Sequence, residues 1–302
     1  MFLQGMVRQV MVIGVPLFLM LTGYLNAGKK ISRAYYRGLI RVLSAYLVYS
    51  LLTIVFREIL LHDHRSPWQW VHAILSFDAI PYAWYIEMWI GLFLLTPFLG
   101  VLYNGLTTKR EKQVLILTLV LLSLMASFCN RYGLKVWPAF WEKIYPLAYF
   151  FLGAYIREYR PRIATRTTCA VVLAFAMLNP IAALILAPNR PMIQPFGATE
   201  TPLTFIVVAL CFLSMYERDT KSLRVKHLLA RVSVLSLDMY LVSYMFDALF
   251  YPWFMERFFV NQRGFGIWWL VMVPLILLCS FALSAVINPL LPTGKPKQRI
   301  AS

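Results

Sequence analysis

Long apolar runs alternate along this chain with short polar segments, most of them basic. Nine runs stand out, near residues 7–25, 38–60, 83–103, 113–130, 143–157, 168–188, 202–216, 232–254 and 266–290. They are too long and continuous for barrel strands, and in lipid only helices or closed barrels satisfy the backbone. A helical crossing takes roughly 20 apolar residues; the fifth and seventh runs are shorter and draw on flanking aromatics. The pattern predicts an all-α integral membrane protein, a bundle of about nine transmembrane helices. It forms a single transmembrane domain over 1–302, ending in a basic tail at 292–302. Pro16, Pro97 and Pro180 are expected to kink their helices. No internal repeat and no inverted pair of broken helices is visible.

Composition reinforces this class. The 302 residues are 60% hydrophobic and 14% charged, and mean hydropathy is +0.67, whereas soluble domains carry about 25% charged residues. Cys129, Cys169, Cys211 and Cys279 lie far apart in apolar segments, a spacing that fits small packing residues rather than disulfides or a metal site. His62, His64 and His72 fall in the segment 61–82 and His227 in a basic loop, so no histidine sits within a span and no metal site is expected.

Charge then sets the topology. Alternate loops hold 20 of the 29 Lys and Arg residues and the other side holds 9. The positive-inside bias places the richer loops and the C-terminus in the cytoplasm, and the short N-terminus outside. A helix upstream of Met1 would restore a cytoplasmic start, so an N-terminally shortened member of a ten-helix pattern is expected. The net charge of +16 belongs to this bias and to attraction for anionic headgroups. Spread over five loops, it excludes nucleic acid as a partner.

Three constellations carry candidate chemistry. Ser32 predicts an N-cap, and the following helix carries Arg33, Arg37 and Arg41 along one face. Arg41 then lies about 13 Å along the axis from the cap, below headgroup level. Guanidinium groups bind phosphate oxygens in bidentate fashion, and snorkelling anchors are the other reading. In the eighth run, Tyr240, Ser243, Tyr244, Asp247 and Tyr251 form one polar stripe. It is either a functional surface around an ionisable residue or an interhelical hydrogen-bonding seam. Asp238 is out of phase with the stripe and is expected to pair with a basic loop. In the third run, Glu87 stands among Trp84, Tyr85 and Trp89. It would either orient an acceptor hydroxyl or pair with Arg57.

Five segments resemble one family. "VPLFLMLTGYL" and "YYRGLIRVLSAYLVYSLL" are similar to the second and third helices of the membrane acyltransferase-3 family. "WYIEMWIGLFLLTPFL", "YPLAYFFLGAYIRE" and "LDMYLVSYMFD" resemble its later landmarks in order and spacing, from about Val7 to Leu291. The resemblance implies a ten-helix inner-membrane enzyme moving acyl groups, usually acetyl from acetyl-CoA as co-substrate, onto hydroxyls of surface glycans or lipid-linked precursors. It implies that Arg37 and Arg41 hold the CoA phosphates, and Trp84 matches the aromatic that opens the family's Trp-Tyr/Phe segment. The arginine ladder adds Arg33 to the phosphate contacts, and Trp84 with Tyr240 and Tyr244 of the polar stripe are expected to line the substrate. Ser243 departs from relatives that carry histidine there. The family's first helix, with an arginine and the presumed basic histidine, has no counterpart here. That leaves Glu87, Ser243 and Asp247 as candidate catalytic groups. A transporter or flippase for lipid-linked sugars, and a non-catalytic relative in a glycan-assembly complex, are the rival functions.

Overall fold

The computed structural model describes residues 2–130, 135–186, 198–258 and 265–292; most of the basic tail therefore lies outside the described residues. These fold into twelve α-helices and two short 3₁₀ turns, with no strand among them. Every apolar run carries a helix. Six helical stretches are long and apolar enough to cross a membrane, which makes the chain an all-α, multi-pass membrane protein.

Contacts gather into two compact units, residues 1–31 with 95–219, and 32–94 with 220–302. The first unit contains α1 (Phe2–Met11) and α2 (Gly14–Asn26) from the first apolar run. The break between them falls at residues 12 and 13. Pro16 explains it: lacking an N–H and colliding with the carbonyl four residues back, it interrupts the helix at Val12. The helices containing Pro97 and Pro180 continue through them. The fourth run divides at Leu124 into α6 (Lys109–Ser123) and α7 (Met125–Cys129). The unit is completed by α8 (Tyr145–Tyr159), α9 (Thr165–Leu186), α10 (Pro202–Met215) and the second half of α5 (Trp84–Gly105).

Its tightest seam is the crossing of α2 with α8, where glycines let backbones touch. A Cβ on Gly23 would stand 1.9 Å from the Phe150 carbonyl oxygen, and one on Gly153 2.0 Å from that of Met20. Small residues at such crossings replace the hydrophobic drive that lipid cannot supply. Arg157 of α8 donates Nη1 to the carbonyls of Tyr24 and Leu25, at 3.1 Å each, which satisfies the open carbonyl end of α2.

The second unit contains α3 (Arg33–Leu60), α4 (Pro67–Leu75), the first half of α5, α11 (Leu223–Arg257) and α12 (Phe265–Ile287). Ser32 caps α3 by accepting from the Tyr35 amide at 3.1 Å. Ser66 and Gln69 form a full capping box on α4, with Pro67 at its first position. The core joins Ala45, Tyr46 and Tyr49 of α3, Ile80, Ala83 and Ile86 around the start of α5, and Leu241 and Val242 of α11. α11 spans 35 residues, about 52 Å at 1.5 Å per residue against a hydrocarbon core of roughly 30 Å. Its exposed first turns, from Leu223 to Arg231, begin well before the apolar run that starts near 232.

Candidate functional site

The second unit brings the candidate residues into two clusters on α11. One surrounds Arg41. Arg33 and Arg37 are exposed at the start of α3, while Arg41, two turns in, is 27% exposed and carries Nη2 3.8 Å from Oδ2 of Asp238, which is 1% exposed. Asn288, in the 3₁₀ turn after α12, donates Nδ2 to the same oxygen. Asp238 thus departs from the expected basic-loop pairing. α3 and α12 cover α11 from two sides here, so the carboxylate faces an arginine inside the bundle. Its other oxygen, Oδ1, is buried without a hydrogen-bond partner. The Tyr49 hydroxyl and the Ser284 Oγ are likewise buried, and they approach each other without reaching hydrogen-bond geometry.

The second cluster lies nine residues further along α11, about 13 Å along its axis. Tyr82 donates its hydroxyl to Oδ2 of Asp247 at 2.8 Å, and Tyr240 donates to the Tyr82 carbonyl at 2.6 Å. Tyr244 meets the Tyr82 ring edge-on at 5.7 Å, and Tyr85 meets Tyr240 at the same separation. Asp247 is therefore half-buried in an aromatic enclosure with a phenol on one oxygen. Burial and the carboxylate together hold the Tyr82 phenol well above its ordinary value, so Tyr82 remains a donor across the accessible pH range.

Three candidates stand differently. Ser243 gives its hydroxyl to the Tyr240 carbonyl one turn back, at 2.8 Å, a local bond that occupies the proton a nucleophile would have to lose. Tyr251 packs against Phe254, Met272 and Ile276. Glu87 is exposed in the first turn of α5, near Trp84, which is exposed and meets Tyr85 edge-on at 6.2 Å.

The expected alternative partner of Glu87, Arg57, is engaged elsewhere. Its fork binds Asp63, and Nη1 reaches the Ala79 carbonyl at 3.3 Å. A left-handed residue, His62 at φ 52°, turns the chain back so that a carboxylate six residues on meets the end of α3. Arg57 and Arg65 stack over Trp70 at 5.1 and 4.9 Å, and Glu58 accepts from Trp70 Nε1 at 2.5 Å. His64 joins this network through Glu58. Among the described residues no cluster of three metal-ligating side chains occurs.

Tyr82 escaped the reading of apolar runs because it sits in the turn before α5. The "PYAWY" string, dense in aromatics at a helix entrance, was its one sequence signal.

A family model described as an acyltransferase domain, that of the acyltransferase-3 family, matches residues 1–287, and the chain belongs to that family. No curated protein and no solved structure matches it. Family and fold together make the chain a multi-pass membrane acyltransferase.

Proposed function

We propose that this acyltransferase moves acetyl from acetyl-CoA onto a hydroxyl of a cell-surface or lipid-linked glycan in the cytoplasmic membrane. The observation that carries the reading is Arg41: a guanidinium sunk two turns into α3, about a quarter exposed and facing a fully buried carboxylate. A free arginine on a helix is a snorkelling anchor; one ion-paired with Asp238, a carboxylate that Asn288 itself orients, is held near the bundle and still has its N–H groups to offer. Planar donors so arranged suit the phosphates of a nucleotide carrier, with Arg37 and Arg33 leading towards it from the exposed end.

The thioester would extend along the bundle towards the enclosure around Asp247. There the carboxylate, oriented by Tyr82, holds the acceptor hydroxyl, while Tyr240, Tyr244 and Trp84 offer the apolar and stacking surface that a sugar ring uses. In the transfer the hydroxyl oxygen bonds to the thioester carbonyl carbon and the carbon–sulfur bond breaks. The hydroxyl proton ends on the departing sulfur, leaving an ester and a free thiol. Of the candidate catalytic groups, Asp247 is the best placed to hold that hydroxyl, because Ser243 is committed to its own helix and Glu87 is exposed.

Equilibrium binding of CoA to the purified protein tests the reading whether or not turnover is fast. Arg41→Ala is expected to weaken binding about tenfold to hundredfold, the range of one lost charge-assisted hydrogen bond. Unchanged affinity would refute the port. A lipid-linked-sugar flippase is the competing reading, favoured by the buried unpartnered hydroxyls of Thr53 and Ser280. It requires sugar movement in proteoliposomes without any acyl-CoA.

A further inference from the structure

A groove in the first unit has no role in acyl transfer as argued above. It runs along one face of α2, through Gly14, Phe18, Leu21 and Tyr24, opposite Phe212 and Tyr216 of α10 and the turn after it, and encloses about 350 Å³. These α2 positions recur every three or four residues, so they form one continuous face. From Gly14 to Tyr24 the groove is about 15 Å long, half of a hydrocarbon core of roughly 30 Å. Nothing lies within 4 Å of where a Cβ on Gly14 would stand, so the protein leaves that end unfilled.

The other end is polar and basic. Tyr24 meets Phe212 and Tyr216 edge-on at 5.5 and 6.0 Å, a grouping typical of the membrane–water boundary. Arg157 is exposed there and uses Nη1 on the Tyr24 and Leu25 carbonyls. Arg218 follows Tyr216 by two residues and bonds Thr165. The nearby acid Glu217 faces Arg162 at 3.5 Å. Lys29 and Lys30 continue the chain beyond α2.

We propose that this groove is a discrete binding site for an anionic glycerophospholipid. One acyl chain lies along α2 from Tyr24 to Gly14, and the headgroup phosphate rests against Arg157. The length favours a single chain of one leaflet over a transmembrane helix, which would need twice the depth. The basic end favours a charged headgroup over a zwitterionic one. The proposal is independent of the CoA port, which lies in the other unit.

The test uses native mass spectrometry of the detergent-purified protein, titrated with phosphatidylglycerol and with phosphatidylcholine of the same chains. The wild type is expected to hold one phosphatidylglycerol per chain with at least tenfold preference over phosphatidylcholine. Gly14→Leu fills the open end and is expected to lower phosphatidylglycerol affinity about tenfold. Its fold should survive, since leucine is a better helix former than glycine. Should it nonetheless fold poorly, Leu21→Trp obstructs the same groove midway and is expected to give the same loss. Arg157→Gln is expected to abolish the preference between headgroups while lipid still binds. Equal binding of the two lipids by the wild type, wild-type affinity in folded Gly14→Leu, or release of lipid only when a second copy or another protein occupies the groove would each overturn the proposal.

Discussion

The two units solve the problem of polar groups in an apolar bundle in opposite ways. In the first, polar side chains are closed on one another. Lys112, 7% exposed, reaches both carboxylate oxygens of Glu158 at 2.7 and 2.8 Å, and Tyr103 donates to the same group at 2.8 Å. Asn130 and Trp137 exchange two hydrogen bonds at 2.8 Å. Among its described residues, Gln9 is the exception, with both amide atoms buried and unpartnered. The second unit leaves Thr53, Asp238 and Ser280 with buried atoms that have no protein partner, and Tyr49, Ser50 and Ser284 with polar contacts that fall short of hydrogen-bond geometry. Buried polar atoms are ordinarily satisfied, and leaving them open costs stability. Such a cost falls in the unit that holds the candidate site, as expected if water or substrate completes those groups.

The largest expected effect breaks the closed unit. Gly153→Ala or Gly23→Ala forces a methyl into a backbone carbonyl, and either should cost about 3 kcal/mol or more, read as loss of monodisperse protein on heating. Gly91, whose Cβ would meet nothing within 4 Å, is the matched control. Its alanine variant should be neutral or gain up to about 1 kcal/mol.

Next comes Lys112→Met. It removes the charge facing Glu158, but the glutamate side chain is 40% exposed, so water takes over part of the lost interaction. The expected cost is about 1–2 kcal/mol by denaturant titration in detergent.

Smaller still, Ser280→Ala in the second unit should change stability by less than about 0.5 kcal/mol, because its buried hydroxyl makes no hydrogen bond to the protein. A loss above about 1 kcal/mol would erase the contrast between the units.

The smallest effect concerns pH at the end of α3. Hydrogen bonds from Arg65 and then Arg57 hold the Asp63 carboxyl below its ordinary value. A depressed folded value favours the ionised form on folding. Its contribution is complete above the unfolded pKa, about 3.9, and fades as pH falls through the lower folded value. Acidification below about pH 4 should release the segment around Trp70 locally, seen as a change in tryptophan fluorescence. Glu58, which accepts from the Trp70 indole, titrates in the same range, so Asp63→Asn should diminish that transition and Asp63→Asn with Glu58→Gln should remove it.

Much of this was legible from periodicity and composition, and what was not has identifiable causes. The helices followed from apolar runs, and the cap of α3 from Ser32. α4 was written in "SPWQ", a capping box with proline at the first position, but a hydropathy reading passes over nine residues outside a span. The early start of α11 was hidden because Arg224, Lys226 and Arg231 depress hydropathy without opposing a helix. Asp247 was legible because a carboxylate in an apolar run is conspicuous alone. Tyr82 was not, since its importance comes from a partner 165 positions away.

Sequence alone determined the class of this protein: an apolar run of sufficient length must become a helix in lipid, because its backbone has no other way to bond. It also determined that arginines descend one face of α3, since a four-residue spacing fixes direction. Only tertiary structure decided which of them is anchored. Asp238 lies off the polar stripe of its own helix, and it became the partner of Arg41 because neighbouring helices enclose α11 on two sides. Pairings between distant segments depend on how helices pack, and helical spacing within a segment carries no record of that.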